Sequence, residues 1–215
     1  MPTPTSSRPT PERLLDAAEH LMRTIGLANT TTKAIAREAG CSEAALYKHY
    51  ANKEELFVRV LMERTPNAGP LMAALHAEPG EGTVERALTV IARNASLFYA
   101  DAMPIAASLF AEPALLTRHR EGVQEIGAGP HLVLEALAHR LREDLAEGRL
   151  RPDADPDAAA ALLLGACFQR AFFLHFSGAG AVRPVDEFAP AVARTVWAAI
   201  GRAPAGRVIG RSPSP

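Results

Sequence analysis

Residues Thr30–Phe57 read TTTKAIAREAGCSEAALYKHYANKEELF. The spacing predicts two short helices joined by a tight turn and followed by a capped third helix, which is a helix-turn-helix. Ile35, Ala36 and Ala39 give the first helix one apolar edge, and Gly40 stands where the chain must reverse through a left-handed conformation. Ser42 is placed to cap the second helix, predicted over Glu43 to Tyr50, with Leu46 as its inward anchor. Ala44 and Ala45 are small, and Tyr47, Lys48 and His49 make a polar edge. Short side chains let a helix lie in a major groove, while the polar edge supplies donors for phosphate oxygens. Duplex DNA is the expected partner.

Further donors flank this helix. Thr31 or Thr32 caps the first helix, whose open N–H groups and neighbouring Lys33 make a phosphate site. Lys53 adds a second charge beside the capping-box pair Asn52 and Glu55. Such caps hold helices in any protein, and that role is compatible with phosphate contact. Glu43 can accept a hydrogen bond from a cytosine amino group; the alternative is electrostatics at the helix start alone. The expected DNA-contacting set is Thr31, Thr32, Lys33, Ser42, Glu43, Ala44, Tyr47, Lys48, His49 and Lys53.

The run TTKAIAREAGCSEAALYKHYANKEEL resembles the DNA-binding signature of the tetracycline-repressor (TetR) family of bacterial transcription regulators. The order I-A, A-G, S, L-Y, H, K-E-x-L carries the resemblance and is far more specific than a generic helix-turn-helix. It covers about the first quarter of the chain; the remainder is similar in layout only. Two positions depart from the pattern: Ala44 stands where the family often has Gly, and Glu43 where it often has a basic residue. The resemblance implies an all-α fold, with an N-terminal three-helix DNA-binding domain and a larger helical domain for ligand binding and dimerisation. It also implies a repressor that leaves its operator when a small molecule binds.

Composition bounds these expectations. A chain of 215 residues with 48% hydrophobic and 22% charged residues is an ordinary globular one. Its net charge of -1 excludes a generally basic nucleic-acid coat. Residues 1–66 carry nine Lys/Arg against eight Asp/Glu, so DNA affinity has to come from local arrangement. Cys41 and Cys167 lack the spacing of a disulfide framework or a zinc site, and the seven histidines include no H-E-x-x-H. No metal, cofactor or catalytic constellation is expected. The opening MPTPTSSRPTP has no apolar run, so a cytoplasmic protein is expected.

Outward from the motif, residues 1–9 are expected to be a mobile arm, whose Arg8 could either enter a minor groove or stay solvated. Thr10 and Pro11 read as N-cap and first-turn proline of a helix running to Gly26. Residues 10–57 form the expected DNA-binding domain, 58–202 the regulatory and dimerisation domain, and 203–215 a frayed tail. Within the larger domain, helices are predicted over Thr83 to Ala100, separately from Pro104 to Phe110, then from Glu112 to Ile126 and around Leu132 to Leu145. A helix opened by Asp155 and Pro156 is apolar nearly all round, and Gln169 and Arg170 interrupt it too much for a membrane span. It is therefore expected to pack on its own body and on a second subunit. A last helix covers Glu187 to Ile200.

The aromatic residues of the larger domain allow two readings. Phe98, Met103, Phe110, Phe168 and Phe172 either line an apolar ligand cavity or form a plain core, and the resemblance favours the cavity. Phe173, Phe176, Phe188, Val192 and Val196 are the expected homodimer contacts, which the resemblance implies as a four-helix bundle about a two-fold axis, with a palindromic operator to match. Arg170 reads as an interface ion-pair partner, an exposed head on a buried stem, or a binder of a ligand carboxylate, and His175 as a rim residue. A regulator with no ligand, and an enzyme on this fold, remain as alternatives.

Overall fold

The computed structural model describes residues 9–77, 83–110 and 113–202. The expected arm, with Arg8, and the expected tail from 203 onward lie outside the described residues except for Pro9. Eleven α-helices run through the described residues: α1 Thr10–Thr24, α2 Gly26–Asn29, α3 Thr32–Glu38, α4 Glu43–Tyr47, α5 Lys53–Glu63, α6 Ala68–His76, α7 Val84–Phe110, α8 Pro113–Glu125, α9 His131–Ala146, α10 Pro156–Ser177 and α11 Val185–Ile200. A single isolated bridge joins Leu150 to Gly201, and no strand forms among the described residues.

Two hydrophobic cores divide the molecule. The head core gathers Leu14, Ala18 and Met22 of α1, Ile35 of α3, Leu46 of α4, and Leu56, Phe57 and Val60 of α5. Ile105 and Leu109 of α7 and Leu115 of α8 complete it. The larger core takes Leu71 and Leu75 of α6, Leu88 and Ile91 of α7, Leu137 and Leu141 of α9, Leu163 and Cys167 of α10, and Ala193 and Val196 of α11. A boundary at residues 57/58 falls inside α5, whose Val60 still belongs to the head core.

Two expectations about helix ends are corrected. Thr10 is not the cap of α1: Pro9 occupies that position with no side-chain hydrogen bond, and Pro11 sits in the first turn. The helix expected to end at Ala100 instead runs unbroken through Pro104 to Phe110. A helical proline has no N–H for the carbonyl four residues back, and here that carbonyl belongs to Ala100. His175 Nε2 of α10 stands 2.7 Å from Ala100 O and donates to it, so the orphaned acceptor is satisfied from a neighbouring helix.

Helix α10 is long and apolar enough to cross a membrane by length and composition. Its Ala160, Leu163, Cys167 and Ala171 edge is nevertheless buried in the body against α7 and α9. Asp155 caps it by accepting from Ala158 N at 3.0 Å, and Gly178, at φ 87°, ends it.

Candidate nucleic-acid interface

The head is built by caps. Thr31 Oγ1 accepts from Ala34 N at 3.1 Å and starts α3; Ser42 Oγ accepts from Ala45 N at 3.1 Å and starts α4. Between them the chain reverses at Gly40, with φ +66°. Cys41 N donates to Ala36 O at 2.9 Å and Gly40 N to Arg37 O at 3.2 Å, the double bond pattern that closes a helix through a left-handed residue. Asn52 Oδ1 accepts from Glu55 N at 2.7 Å, and the Glu55 carboxylate returns to Ala51 N at 2.7 Å. Each cap satisfies an N–H that the first turn of a helix leaves open.

Burial then sets which groups face out. Ile35, Ala36, Leu46 and Tyr50 are buried, and the Tyr50 hydroxyl donates to Pro11 O at 3.2 Å, tying the end of the turn to α1. Thr31, Lys33, Arg37, Ser42, Ala44, Tyr47, Lys48 and His49 are exposed. Helix α4 stops at Tyr47, so Lys48 and His49 lie in the turn that follows it instead of on the helix predicted to reach Tyr50. Thr31, Lys33, Ala34, Arg37, Cys41 and Glu43 line an open groove between α3 and α4. Arg37 was not singled out in the sequence; its position one turn beyond Lys33 was the available signal.

Besides the caps Thr31 and Ser42, four members of the expected set, Lys53, Thr32, Glu43 and Tyr47, have partners inside the head. Lys53 Nζ donates to Leu27 O at 2.6 Å, placing its charge at the carbonyl end of α2. Thr32 Oγ1 donates to Glu43 Oε1 at 2.5 Å, and the Tyr47 hydroxyl lies 3.4 Å from Thr32 Oγ1. Glu43 is half-buried, unlike Ala44 beside it.

The residues of the expected pocket differ in burial. Phe98 is buried and Met103 half-buried, but Phe110 is 73% exposed, and Phe168 and Phe172 lie on the outward side of α10. The reason is helical phase: Cys167 and Ala171 take the inward positions, so Phe168 and Phe172 turn outward. Phe168 meets the edge of Tyr99, and Phe172 stacks on Phe176 at 5.3 Å. Among the expected dimer contacts, Phe173 and Phe176 are exposed, Phe188 and Val192 are partly covered, and Val196 is 5% exposed within its own core. Val196 is thus a core residue of the single chain. Arg170 lies over the Phe188 ring and donates to Arg183 O at 3.0 Å. Burial pushes the Cys167 thiol up to about 11, which keeps it unreactive at neutral pH.

Residues 14–60 match the sequence profile of the bacterial regulatory proteins of the tetR family. The head, residues 14–60, thus belongs to the tetR family of bacterial regulatory proteins. Over 65 residues it is 40% identical to the uncharacterized HTH-type transcriptional regulator YvkB of Bacillus subtilis, a match covering 30% of this chain and 34% of that one. The aligned part thus spans about a third of the length of that relative. Solved structures extend the likeness in fold to the whole chain. A TetR-family transcriptional regulator of Mesorhizobium loti superposes with a TM-score of 0.66 at 21% identity, covering 92% of this chain and 100% of that one. SmeT, the repressor of the multidrug efflux pump SmeDEF of Stenotrophomonas maltophilia, gives a TM-score of 0.61 at 19% identity over 97% and 98% of the two chains. A complex of SmeT with triclosan gives 0.60 at 21% over 96% and 98%. These describe the TetR fold: an N-terminal helix-turn-helix followed by a larger helical domain.

Proposed function

We propose that this protein is a homodimeric transcriptional repressor of the TetR family that binds a palindromic operator and is released by a small, largely apolar ligand. The observation that carries the reading is the outward face of α4 and its flanking turns, where Ser42, Ala44, Tyr47, Lys48 and His49 stand clear while Leu46 and Tyr50 lock the helix to its head. In the proposed complex Thr31, Lys33, Tyr47, Lys48, His49 and Lys53 hold phosphates, and Ala44 lies against the bases. Arg37 joins the phosphate set from its place in the groove.

Dimerisation is supported by α10. Ala158, Leu162, Gly165, Phe168, Phe172 and Phe176 recur at three- and four-residue steps along its outer side, and all are exposed. A Cβ added at Gly165 would meet nothing, which leaves backbone open to close approach by a second helix. With α11 beside it, this stripe suits a four-helix bundle about a two-fold axis, which places the two reading heads on symmetric half-sites.

Release by an effector is supported by the elements that link body and head: α8 packs on α5, and α7 runs from the larger core into the head core. SmeT, which shares this fold, is solved in complex with triclosan. An effector that lowers operator affinity about a hundredfold must prefer the DNA-free form by about 2.7 kcal/mol. The outward placement of Phe110, Phe168 and Phe172 favours a second reading, a regulator without a small-molecule ligand. Electrophoretic retardation of random-sequence duplexes, with and without a panel of apolar compounds, tests both. A selected palindrome released by a compound supports the first; a selected palindrome released by none supports the second.

A further inference from the structure

Glu43 is the residue in the head whose position is hardest to reconcile with simple DNA contact. It brings a negative charge to a face that must approach phosphates, and its carboxylate is already engaged. Thr32 and Glu43 are the first residues of α3 and α4, yet neither side chain caps its helix, because Thr31 and Ser42 do that. The Thr32 hydroxyl has one proton, and at 2.5 Å it gives that proton to Glu43 Oε1. Its remaining lone pairs then face Tyr47, whose hydroxyl reaches Thr32 Oγ1 at 3.4 Å. The chain of donors therefore runs Tyr47 to Thr32 to Glu43, ending at a charge that fixes its direction.

The two links differ in strength. The inner one is short and ends on a carboxylate; the outer one is at the long limit for a hydrogen bond. A phosphate oxygen offers the Tyr47 hydroxyl a charged acceptor, so the outer link can be exchanged on DNA while the inner link persists. In the DNA-free protein the outer link keeps the half-exposed phenol ring against α3 instead of leaving it to sample its rotamers. Lys33 and Arg37 line the same groove as Glu43, which tempers its charge.

We propose that Glu43 is a positioning residue of the DNA-reading face: through Thr32 it ties the start of α3 to the start of α4 and holds Tyr47 ready for phosphate, and it selects no base. This rests on the DNA-binding reading above. It also accounts for an acidic side chain at a position where a base-reading helix gains more from a donor.

The test is affinity and sequence selection for wild type, Thr32→Val, Glu43→Ala, the double variant and Glu43→Gln, with the first pair repeated in a Tyr47→Phe background. Thr32→Val and Glu43→Ala should each weaken binding to every duplex by about tenfold, the weight of one hydrogen bond to a charged group at the low end of its range. The double variant should be no weaker than either, and in the Tyr47→Phe background both losses should shrink. Glu43→Gln, whose amide oxygen still accepts from Thr32, should bind nearly as wild type, and all variants should select the same sequence. A loss confined to unfolding would persist in the Tyr47→Phe background, and that result overturns the proposal. So does a Glu43→Gln or Glu43→Ala variant that changes the preferred base at one symmetric position while Thr32→Val does not. A wild-type protein that enriches no sequence defeats the DNA-binding reading itself, a different result from either.

Discussion

Pro104 and His175 form a pair that can be separated by mutation. Replacing His175 by Ala leaves the Ala100 carbonyl without its donor and should cost about 1 kcal/mol, the ordinary weight of such a bond at a partly wetted site. Pro104→Ala supplies a backbone N–H to the same carbonyl, so the double variant should recover most of that loss. Denaturant unfolding of the two single variants and the double one measures the coupling; additive effects would break the pairing. The same pair shows why α7 was misread from sequence. A proline inside an apolar pattern signals a break unless something else satisfies its carbonyl, and here the donor is 75 residues away. Thr31, Ser42, Gly40 and the Asn52–Glu55 pair were readable because each acts within four residues of itself. Thr32 and Glu43 were readable as helix starts but not as partners, since they meet only when α3 and α4 fold together.

At the scale of elements, the contact between α8 and α5 joins the body to the head. A Cβ at Gly122 of α8 would stand 2.9 Å from Glu54 Cγ of α5, so the glycine sets how closely these helices approach. Gly122→Ala should cost on the order of 1 kcal/mol in stability, and Glu54→Ala in the same chain should relieve it. One turn earlier, His119 packs edge-on against Phe57 at 4.7 Å. Burial lowers the His119 pKa below its ordinary value; Glu54 opposes that shift and Lys53 adds to it. The unfolded chain therefore takes up the proton first, and stability present at neutral pH is lost as pH falls through and below about 6.5. Melting curves at about pH 7.5 and about pH 5.5 should show a smaller drop for His119→Phe than for wild type. An equal drop would place the acid sensitivity elsewhere. The sequence pattern located α8, but nothing in it told that Gly122 and His119 face another helix.

For the whole molecule, the arrangement turns on α10. Its apolar character was plain in the sequence, whereas the split between its faces depends on where α7, α9 and α11 lie. That split moves the proposed interface from Val196 to Leu162, Phe172 and Phe176. Asp at Leu162 or Phe176 should give folded monomers, with helical content kept and specific DNA binding lost. Asp at Val196 should instead unfold the body, because it buries an unpaired charge in the single-chain core. Sedimentation and circular dichroism on these three variants separate the outcomes; a dimeric, folded Phe176→Asp chain would remove α10 from the interface.

The measurement that bears most directly on the central claim is selection of duplexes from a random library by the wild-type chain, with the stoichiometry of the selected complex determined by sedimentation. The account predicts an enriched palindrome whose half-sites lie about one helical turn, or a multiple of it, apart, bound by an even number of chains. No enrichment, or an asymmetric site bound by a single chain, would contradict it.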